Sequence, residues 1–383
     1  ISHQFLRLLH KLAHHAEYGP DRVRNEAAGA LRQQVAQLAA GWALDDPNPA
    51  GYTAVLEQMG RDRPWDVVPG TALEAEPEDV LRIALEVGTA GPRVVAAADA
   101  LAARGRLGAL LELLVAAPPG EARDALWRHV ATPERLRANV AGETGDRHIA
   151  ELLAMRLGSE AIGPLLDALA AAEQRATRAW LLRFLTRFGE AAAAGAAARL
   201  DGAPWFVQRN FLVLIHRIGE WPPGFTPEPY LAHSQPAVRH EAVKLALARE
   251  DLRTSSLLAA LGDPDPRVVA LGIRASCIEC PPAAVPALEA LATDPRFDDE
   301  VRARAVRALG RSRTEGARAR LVELAVTRRR WLPARLAPKS PLVLEALAAL
   351  GAYWKDDPAA AEVVDMALRH PDPAYAAAAR RIA

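Results

Sequence analysis

Along most of the chain, hydrophobic residues recur every three or four positions, and polar residues fill the positions between them. This spacing matches the turn of about 3.6 residues in an α-helix that buries one face. Proline and glycine interrupt the pattern at short intervals, so the helices are predicted to be short. Runs of β-branched residues, which favour strands, are almost absent. The pattern predicts an all-α protein.

The C-terminal half repeats one helical pattern several times. Segments with this pattern begin at Pro236, Pro266, Asp299 and Pro373, and the first two starts are 30 residues apart. The sixth position after each start is small: Ala242, Gly272, Ala305 and Ala379. A small residue lets a neighbouring helix approach closely, so we expect these four positions to be buried against other helices.

Chemical signals mark the predicted helix boundaries. Asp265 and Asp372 each precede a proline, and an aspartate accepts hydrogen bonds from the free N–H groups of a first helical turn. Glycine adopts the left-handed conformation that ends many helices. By this criterion, helices are predicted to end at Gly189, Gly219 and Gly310.

Each unit of about 30 residues is predicted to contain two helices. The first helices are predicted at Glu160–Ala171, Glu190–Leu200, Thr226–Ala232, Thr254–Leu261, Ala283–Ala292, Glu315–Val326 and Ala359–Arg369. The second helices are predicted at Gln174–Phe188, Pro204–Ile218, Pro236–Arg249, Pro266–Ile278, Asp299–Leu309, Pro341–Tyr353 and Pro373–Ile382. One pair cannot bury its apolar face alone, so successive pairs are expected to stack.

Three segments carry a resemblance to a known family: PAVRHEAVKLALA at 236–248, DPRVVALGIRAS at 265–276 and DDEVRARAVRALGR at 298–311. They resemble HEAT repeats in their short bacterial form, and PWFVQRNFLVLIHRIG at 204–219 looks like a longer variant. The resemblance extends from about Glu160 to the end. It implies an armadillo-type, right-handed α-solenoid of stacked antiparallel helix pairs, and it says little about function.

The chain is expected to contain four regions. These are an N-terminal helical cap at 1–60, an acidic proline-containing loop at 61–79, degenerate helical repeats at 80–158 and regular repeats at 159–383. Before the regular repeats, helices are predicted at Phe5–His15, Arg24–Trp42, Tyr52–Met59, Asp79–Val87, Pro92–Arg104, Leu107–Val115 and Glu121–Val130.

Composition limits the classes of partner. Lys plus Arg and Asp plus Glu both total 47, so the net charge is zero and favours neither nucleic acid nor membrane binding. Acidic residues are in excess from Asp45 to Asp79, and basic residues are in excess from Asp298 to Lys339. No apolar run approaches the length of a membrane span. The two cysteines indicate a cytoplasmic protein without disulfides.

Motifs for catalysis or metal binding are incomplete. His240-Glu241 is a pair of the type found in HEAT-type di-iron hydroxylases, but it occurs once. Cys277 and Cys280 form a lone CxxC without further zinc ligands. Three histidines on one predicted helix also lack a further ligand: His10, His14 and His15. Nucleotide-binding loops and nucleophile elbows are absent from the sequence. The chain is therefore predicted not to be an enzyme, and no catalytic, metal or cofactor residues are assigned.

Basic residues recur at one register of the second helices. The eighth position after each helix start is Lys244, Arg274, Arg307 or Arg381, and we call these four residues the basic ladder. They lie away from the predicted apolar face, so we expect them to share one solvent-facing surface. Three further arginines fit nearby registers: Arg209, Arg239 and Arg302. The alternative is an ordinary solvated face, which every helix on a protein surface needs.

A second candidate for contact with a partner is the segment Arg328-Arg329-Arg330-Trp331, followed by Arg335 and Lys339. Arginine beside an exposed tryptophan suits protein interfaces and phosphate backbones alike. The alternative is a connecting loop whose Trp331 packs into the core.

These observations favour a non-catalytic scaffold or adaptor that binds a protein partner, and the basic ladder favours an acidic one. The resemblance implies that the partner binds on the concave surface, which second helices line in that family. Nucleic acid is the less favoured partner, and the alternative is a HEAT-like protein similar to the DNA alkylation-repair glycosylases. In that alternative Trp180, Trp205 and Arg209 would be site residues. A second alternative is a protein-modifying or chromophore lyase-like HEAT protein. The sequence does not point to a small-molecule ligand.

Overall fold

A computed structural model describes residues 76–141, 146–327 and 334–381, together with Glu26, Gly29, Ala30 and Gln33. The chain divides into two compact units, Ile1–Thr177 and Arg178–Ala383. The helices predicted before residue 60 lie outside the part of the first unit whose packing is described.

The first unit contains seven described α-helices. They are α1 (Pro77–Val87), α2 (Pro92–Ala103), α3 (Leu107–Ala116), α4 (Glu121–Val130), α5 (Pro133–Ala141), α6 (Arg147–Leu157) and α7 (Ile162–Ala171), with a 3₁₀ turn at Gly158–Ala161. The first four agree with the sequence predictions to within two residues. Helices α5 and α6 were not assigned from the sequence, although Pro133 opens one and the Asp146 carboxylate caps the other.

The core of the first unit is made of leucines from successive helices. Helix α1 packs against α2 and α4, while α5 packs against α6 and α7. Leu101, Leu126 and Leu153 are fully buried among these helices. At the edge of this core, the Asp99 carboxylate lies 2.8 Å from both the His129 ring and the Arg135 guanidinium. The polar contact fixes α4 and α5 relative to α2.

The second unit contains most of α8, all of α9 to α20 and one short strand pair. The helices are α8 (Arg175–Leu185), α9 (Gly189–Ala197), α10 (Trp205–Ile218), α11 (Glu228–Leu231), α12 (Pro236–Leu247), α13 (Glu250–Leu261), α14 (Pro266–Ile278), α15 (Val285–Thr293), α16 (Asp299–Ser312), α17 (Glu315–Ala325), α18 (Pro341–Tyr353), α19 (Pro358–Leu368) and α20 (Pro373–Ala379). Short 3₁₀ turns occur at Thr186–Phe188 and Pro282–Ala284.

Within this unit the helices form two rows, as expected for stacked pairs. The second helices pack in chain order, α10 on α12, then α14, α16, α18 and α20. The first helices pack likewise, with α13 on α15, α15 on α17 and α17 on α19. The four small positions predicted to be buried are confirmed: Ala242, Gly272, Ala305 and Ala379. The protein is therefore an all-α array of sequentially packed helix pairs.

Two glycines allow the closest contacts between second helices. A methyl group at Gly351 in α18 would overlap the backbone carbonyl oxygen of Ala379 in α20. A methyl group at Gly310 in α16 would lie 2.8 Å from Cβ of Ala349 in α18. The prediction that a helix ends at Gly310 is wrong, because α16 continues to Ser312. The glycine serves helix packing at this position rather than helix termination.

One short β-ladder interrupts the helical array. Val326 and Thr327 (β1) pair antiparallel with Leu336 and Arg335 (β2), directly after α17. The sequence predicted Val326 as the last residue of a helix, but α17 ends at Ala325. The Ala337 carbonyl accepts a hydrogen bond from the Tyr375 hydroxyl at 3.0 Å, which joins this ladder to α20.

Candidate interaction surface

Two depressions lie beside the second helices of the second unit. The first, which we call the basic groove, has a volume of about 590 Å³ and lies between α12, α13 and α14, beside the end of α10. The second, which we call the arginine pocket, has a volume of about 420 Å³ and lies between α14, α16, α18 and Arg381. Lys244 and Arg274 line the basic groove, while Arg307 and Arg381 line the arginine pocket. The basic ladder is thus divided between two neighbouring sites.

Lys244 lines the basic groove and is paired with a carboxylate. Its Nζ donates to both oxygens of Glu241, at 3.1 and 3.0 Å, and the His240 ring lies 3.0 Å from the same carboxylate. Burial raises the pKa of Glu241, but hydrogen bonds from His240 and Lys244 outweigh burial and hold the pKa below its usual value. Glu241 is therefore ionised at neutral pH and offsets the charge of Lys244.

Arg274 differs from Lys244 because its guanidinium has no acidic partner in the described part of the chain. It extends from α14, is exposed, and lines the groove together with Leu247 and Leu257. At the end of the same helix, Ile278 is 80% exposed. The groove therefore combines an available positive charge with aliphatic surface.

The other titratable side chains of the groove contribute little net charge. Burial lowers the pKa of His216, and the charges of Lys244 and Arg217 lower it further against an opposing effect of Glu241. The ring is therefore neutral at pH 7. Arg253 and Glu279 pair with each other at 2.9 Å. Arg274 thus determines the net charge of the groove.

In the arginine pocket, two ladder residues share one carboxylate. Nε and Nη2 of Arg307 donate to Glu345 at 2.9 and 2.7 Å, and Arg381 donates to Glu345 at 2.7 Å. Burial raises the pKa of Glu345, but the hydrogen bonds from Arg307 and Arg381 outweigh it and keep the pKa low. Arg311, one helical turn after Arg307, lines the same pocket. Its guanidinium carbon lies 5.4 Å from the ring centre of Tyr353.

The three further arginines hold local structure. Arg239 is 12% exposed and donates to both oxygens of Asp263, at 2.7 and 2.8 Å, and to the carbonyl oxygens of His233 and Ser234. Arg302 pairs with Asp299 one turn earlier, and Arg209 donates to Asn210 at 2.7 Å. None of these three arginines lines the basic groove or the arginine pocket.

The segment Arg328-Arg329-Arg330-Trp331 lies outside the described residues. The residues that follow it are described. Arg335 is exposed in β2, and Lys339 pairs with Asp372 at 2.9 Å. Lys339 thereby joins the segment before α18 to the start of α20.

The residues considered for a glycosylase-like site differ in their exposure. Trp180 is 4% exposed and stacks on Phe184 in α8, with ring centres 5.9 Å apart. Trp205 is 42% exposed at the start of α10, where it lies edge-on to Phe206. A buried indole is not available to stack on a nucleic-acid base.

Sequence reasoning missed Ile278 and Arg311. Both occupy the twelfth position after their helix start, one turn beyond the ladder position. The same alignment that gave the ladder contained this signal, because residues four apart lie on one helical face.

The remaining chemical candidates are isolated. In residues 76–141, 146–327 and 334–381, no three His, Cys, Asp or Glu side chains converge in the way that metal ligands do. Burial raises the pKa of the Cys277 thiol, and it raises the pKa of Cys280 to about 11. Both thiols are therefore protonated at neutral pH. Among the described helices, none has the length and apolar character needed to cross a bilayer.

The paired helices and the groove between them define a helical-repeat protein. Residues 254–337, which extend from α13 to β2, match the family model of HEAT repeats. No protein with a curated function matches the sequence. A solved structure of an engineered protein is similar over 98% of this chain and 97% of its own, with 16% identity and a TM-score of 0.35. Because that score is low, the fold assignment rests on the helix packing and the repeat match.

Proposed function

We propose that the chain is a non-catalytic scaffold or adaptor that binds an acidic segment of a protein partner in the basic groove. The observation that carries the proposal is Arg274, an exposed guanidinium without an acidic partner in the described chain, set among aliphatic side chains. A helix that presents glutamate next to leucine satisfies both features, because the carboxylate pairs with Arg274 and the leucine covers Ile278.

The lining of the groove favours a protein over nucleic acid. Among its described lining residues there is no Phe, Tyr or Trp on which a base would stack. Leu247, Leu257 and Leu271 instead offer apolar surface, which complements partner side chains rather than phosphates. The proposal includes a cytoplasmic location, which the low cysteine content supports.

Fluorescence anisotropy with a labelled amphipathic helix of glutamate and leucine tests this proposal. Arg274→Ala should weaken binding about tenfold, which corresponds to about 1.4 kcal/mol. Ile278→Ser should weaken binding without lowering the free energy of unfolding, since its side chain is 80% exposed. The matched control is Arg369→Ala, which removes an exposed charge directly after the last residue of α19, in the other helix row.

Two further probes separate the alternatives. A peptide with glutamine in place of glutamate should bind weakly, and single-stranded DNA should bind weakly at about 0.15 M salt, where exposed charges are screened beyond ~8 Å. If the DNA binds more tightly than the acidic peptide and Arg274→Ala abolishes that binding, the groove is a nucleic-acid site and the protein proposal is wrong.

A further inference from the structure

The arginine pocket is chemically distinct from the basic groove and shares none of its lining residues. Four side chains determine its charge: the guanidinium groups of Arg307, Arg311 and Arg381, and the carboxylate of Glu345. Three positive charges and one negative charge leave a net charge of +2. The chain as a whole has a net charge of zero, so this excess is local.

Glu345 orients two of the arginines without using all of their donors. Its side chain is 14% exposed, and it accepts Nε and Nη2 of Arg307 and Nη1 of Arg381. A guanidinium has five N–H donors, so both arginines keep N–H groups that Glu345 does not use. The side chains of Arg307 and Arg381 are 55% and 51% exposed, so these remaining groups are accessible.

Arg311 supplies a third guanidinium that has no carboxylate partner in the described chain. It is exposed, and it lies over the Tyr353 ring, which Arg313 approaches as well at 5.6 Å. Contact with an aromatic face positions a guanidinium and leaves its edge free to donate hydrogen bonds. The three arginines therefore surround one pocket, two held by a carboxylate and one by an aromatic ring.

We propose that the arginine pocket binds a phosphate monoester dianion. Such a group carries a charge of about −1.5 to −2 at pH 7, which matches the net charge of the pocket. A carboxylate carries one negative charge and would leave the pocket with an excess positive charge. Arginine also matches the planar, bidentate recognition of phosphate oxygens. The inference does not depend on the basic groove, because it rests on different residues.

Isothermal titration calorimetry with capped phosphoserine, capped glutamate and inorganic phosphate tests the site. We expect capped phosphoserine to bind at least about tenfold more tightly than capped glutamate, a difference of about 1.4 kcal/mol. Equal binding of phosphoserine and glutamate would overturn the dianion assignment. Comparison with inorganic phosphate tests the ester: tighter binding of capped phosphoserine supports a phosphorylated protein as the ligand, and equal affinity would show that the pocket takes free phosphate and would overturn the monoester assignment.

Variants locate the binding. Arg311→Ala should weaken capped phosphoserine binding about tenfold, and it should leave the fold intact because the side chain is exposed. Arg274→Ala, in the basic groove, is the matched control and should have no effect. Unchanged affinity in Arg311→Ala, or a loss in Arg274→Ala equal to that in Arg311→Ala, would contradict the assignment.

The Cys277 thiol lines the pocket and gives an independent readout. Its pKa is raised by burial and lowered in part by Arg307 and Arg311. A bound dianion screens these two arginines, so it should raise the pKa further and slow alkylation of Cys277. Cys280 lies outside the pocket and serves as the internal control in the same peptide map. Equal alkylation rates at Cys277 with and without capped phosphoserine would count against the proposal.

Discussion

The two ends of the second-helix row use arginine and glycine differently. Near α12 and α14, Arg239 is held in a nearly buried ion pair with Asp263, and Gly272 of α14 faces the side chain and backbone nitrogen of Leu261 in α13. Between α16 and α20, Arg311 has no carboxylate partner in the described chain, and Gly351 faces the backbone of α20. Arg239 therefore stabilises the fold at one end of the row, whereas the guanidinium of Arg311 remains available to a ligand at the other.

A residue's register on its helix therefore does not by itself make its charge available to a partner. Whether a basic residue is available depends on the acidic residues near it. Asp263 pairs with Arg239, and Glu241 pairs with Lys244, whereas no acidic side chain in the described chain pairs with Arg274. The contacts of each basic residue must therefore be known before a common function is assigned to a ladder of such residues in a repeat protein.

The largest expected effect is the difference in stability loss between alanine substitutions at Gly351 and Gly272. Gly351→Ala should lower the free energy of unfolding by about 3 kcal/mol, because the new methyl group overlaps the Ala379 carbonyl oxygen and α20 must move. Gly272→Ala should cost less, about 1 kcal/mol, because the new methyl group would lie 3.0 Å from the Leu261 side chain and 3.1 Å from the Leu261 backbone nitrogen, so a small shift relieves both contacts. Chemical denaturation of both variants measures the difference. Equal losses would mean that the two ends tolerate added volume alike.

The next largest effect is the difference in stability loss between Arg239→Ala, which removes a paired arginine, and Arg274→Ala, which removes an exposed one. Arg239→Ala should lower the free energy of unfolding by about 2 kcal/mol, because it leaves the Asp263 carboxylate buried without its charged donor. Arg274→Ala should stay within about 0.5 kcal/mol of the wild type, because its side chain is exposed and unpaired in the described chain. The same denaturation measurement applies. A large loss in Arg274→Ala would show that its charge stabilises the fold, which would weaken its assignment to a partner.

Helix positions in the regular repeats were largely predictable from the sequence. Helices α14 and α18 begin and end at the predicted residues. Their starts were predictable because each has a proline after a capping side chain, Asp265 or Ser340. Pattern reasoning failed where one residue type serves two purposes. Glycine both ends helices and allows close packing, and Gly310 does the second.

The candidate site was less predictable than the fold. Helical periodicity places a residue on a face, so it located Arg274 and Arg307 near the two depressions. It gives no information about partners that are distant in sequence, such as Glu345, which is 38 residues from Arg307. Nor does it show that a pocket forms between α14 and α16, because that depends on how far apart the stacked helices lie.

The smallest effect concerns the caps that begin α14 and α20. Asp265 accepts the Arg267 amide at 2.9 Å and pairs with the Arg267 guanidinium, a local contact. Asp372 accepts the Ala374 amide at 2.9 Å and pairs with Lys339, a contact between distant parts of the chain. Loss of Asp265 should therefore affect the local helix start, and Asp265→Ala should cost about 1 kcal/mol at neutral pH.

The pH dependence isolates the charge of Asp265. Hydrogen bonds from the Arg267 side chain lower its pKa from 3.8 to about 2 in the folded protein. Because the folded pKa is the lower one, the stabilisation is complete above pH 4 and is lost as the pH falls towards 2. Asp265→Asn keeps a capping side chain without the charge, so its deficit relative to the wild type should shrink over that range. Denaturation at pH 7, 4, 3 and 2 measures the deficit, and a deficit that stays constant with pH would show that the cap acts through geometry alone.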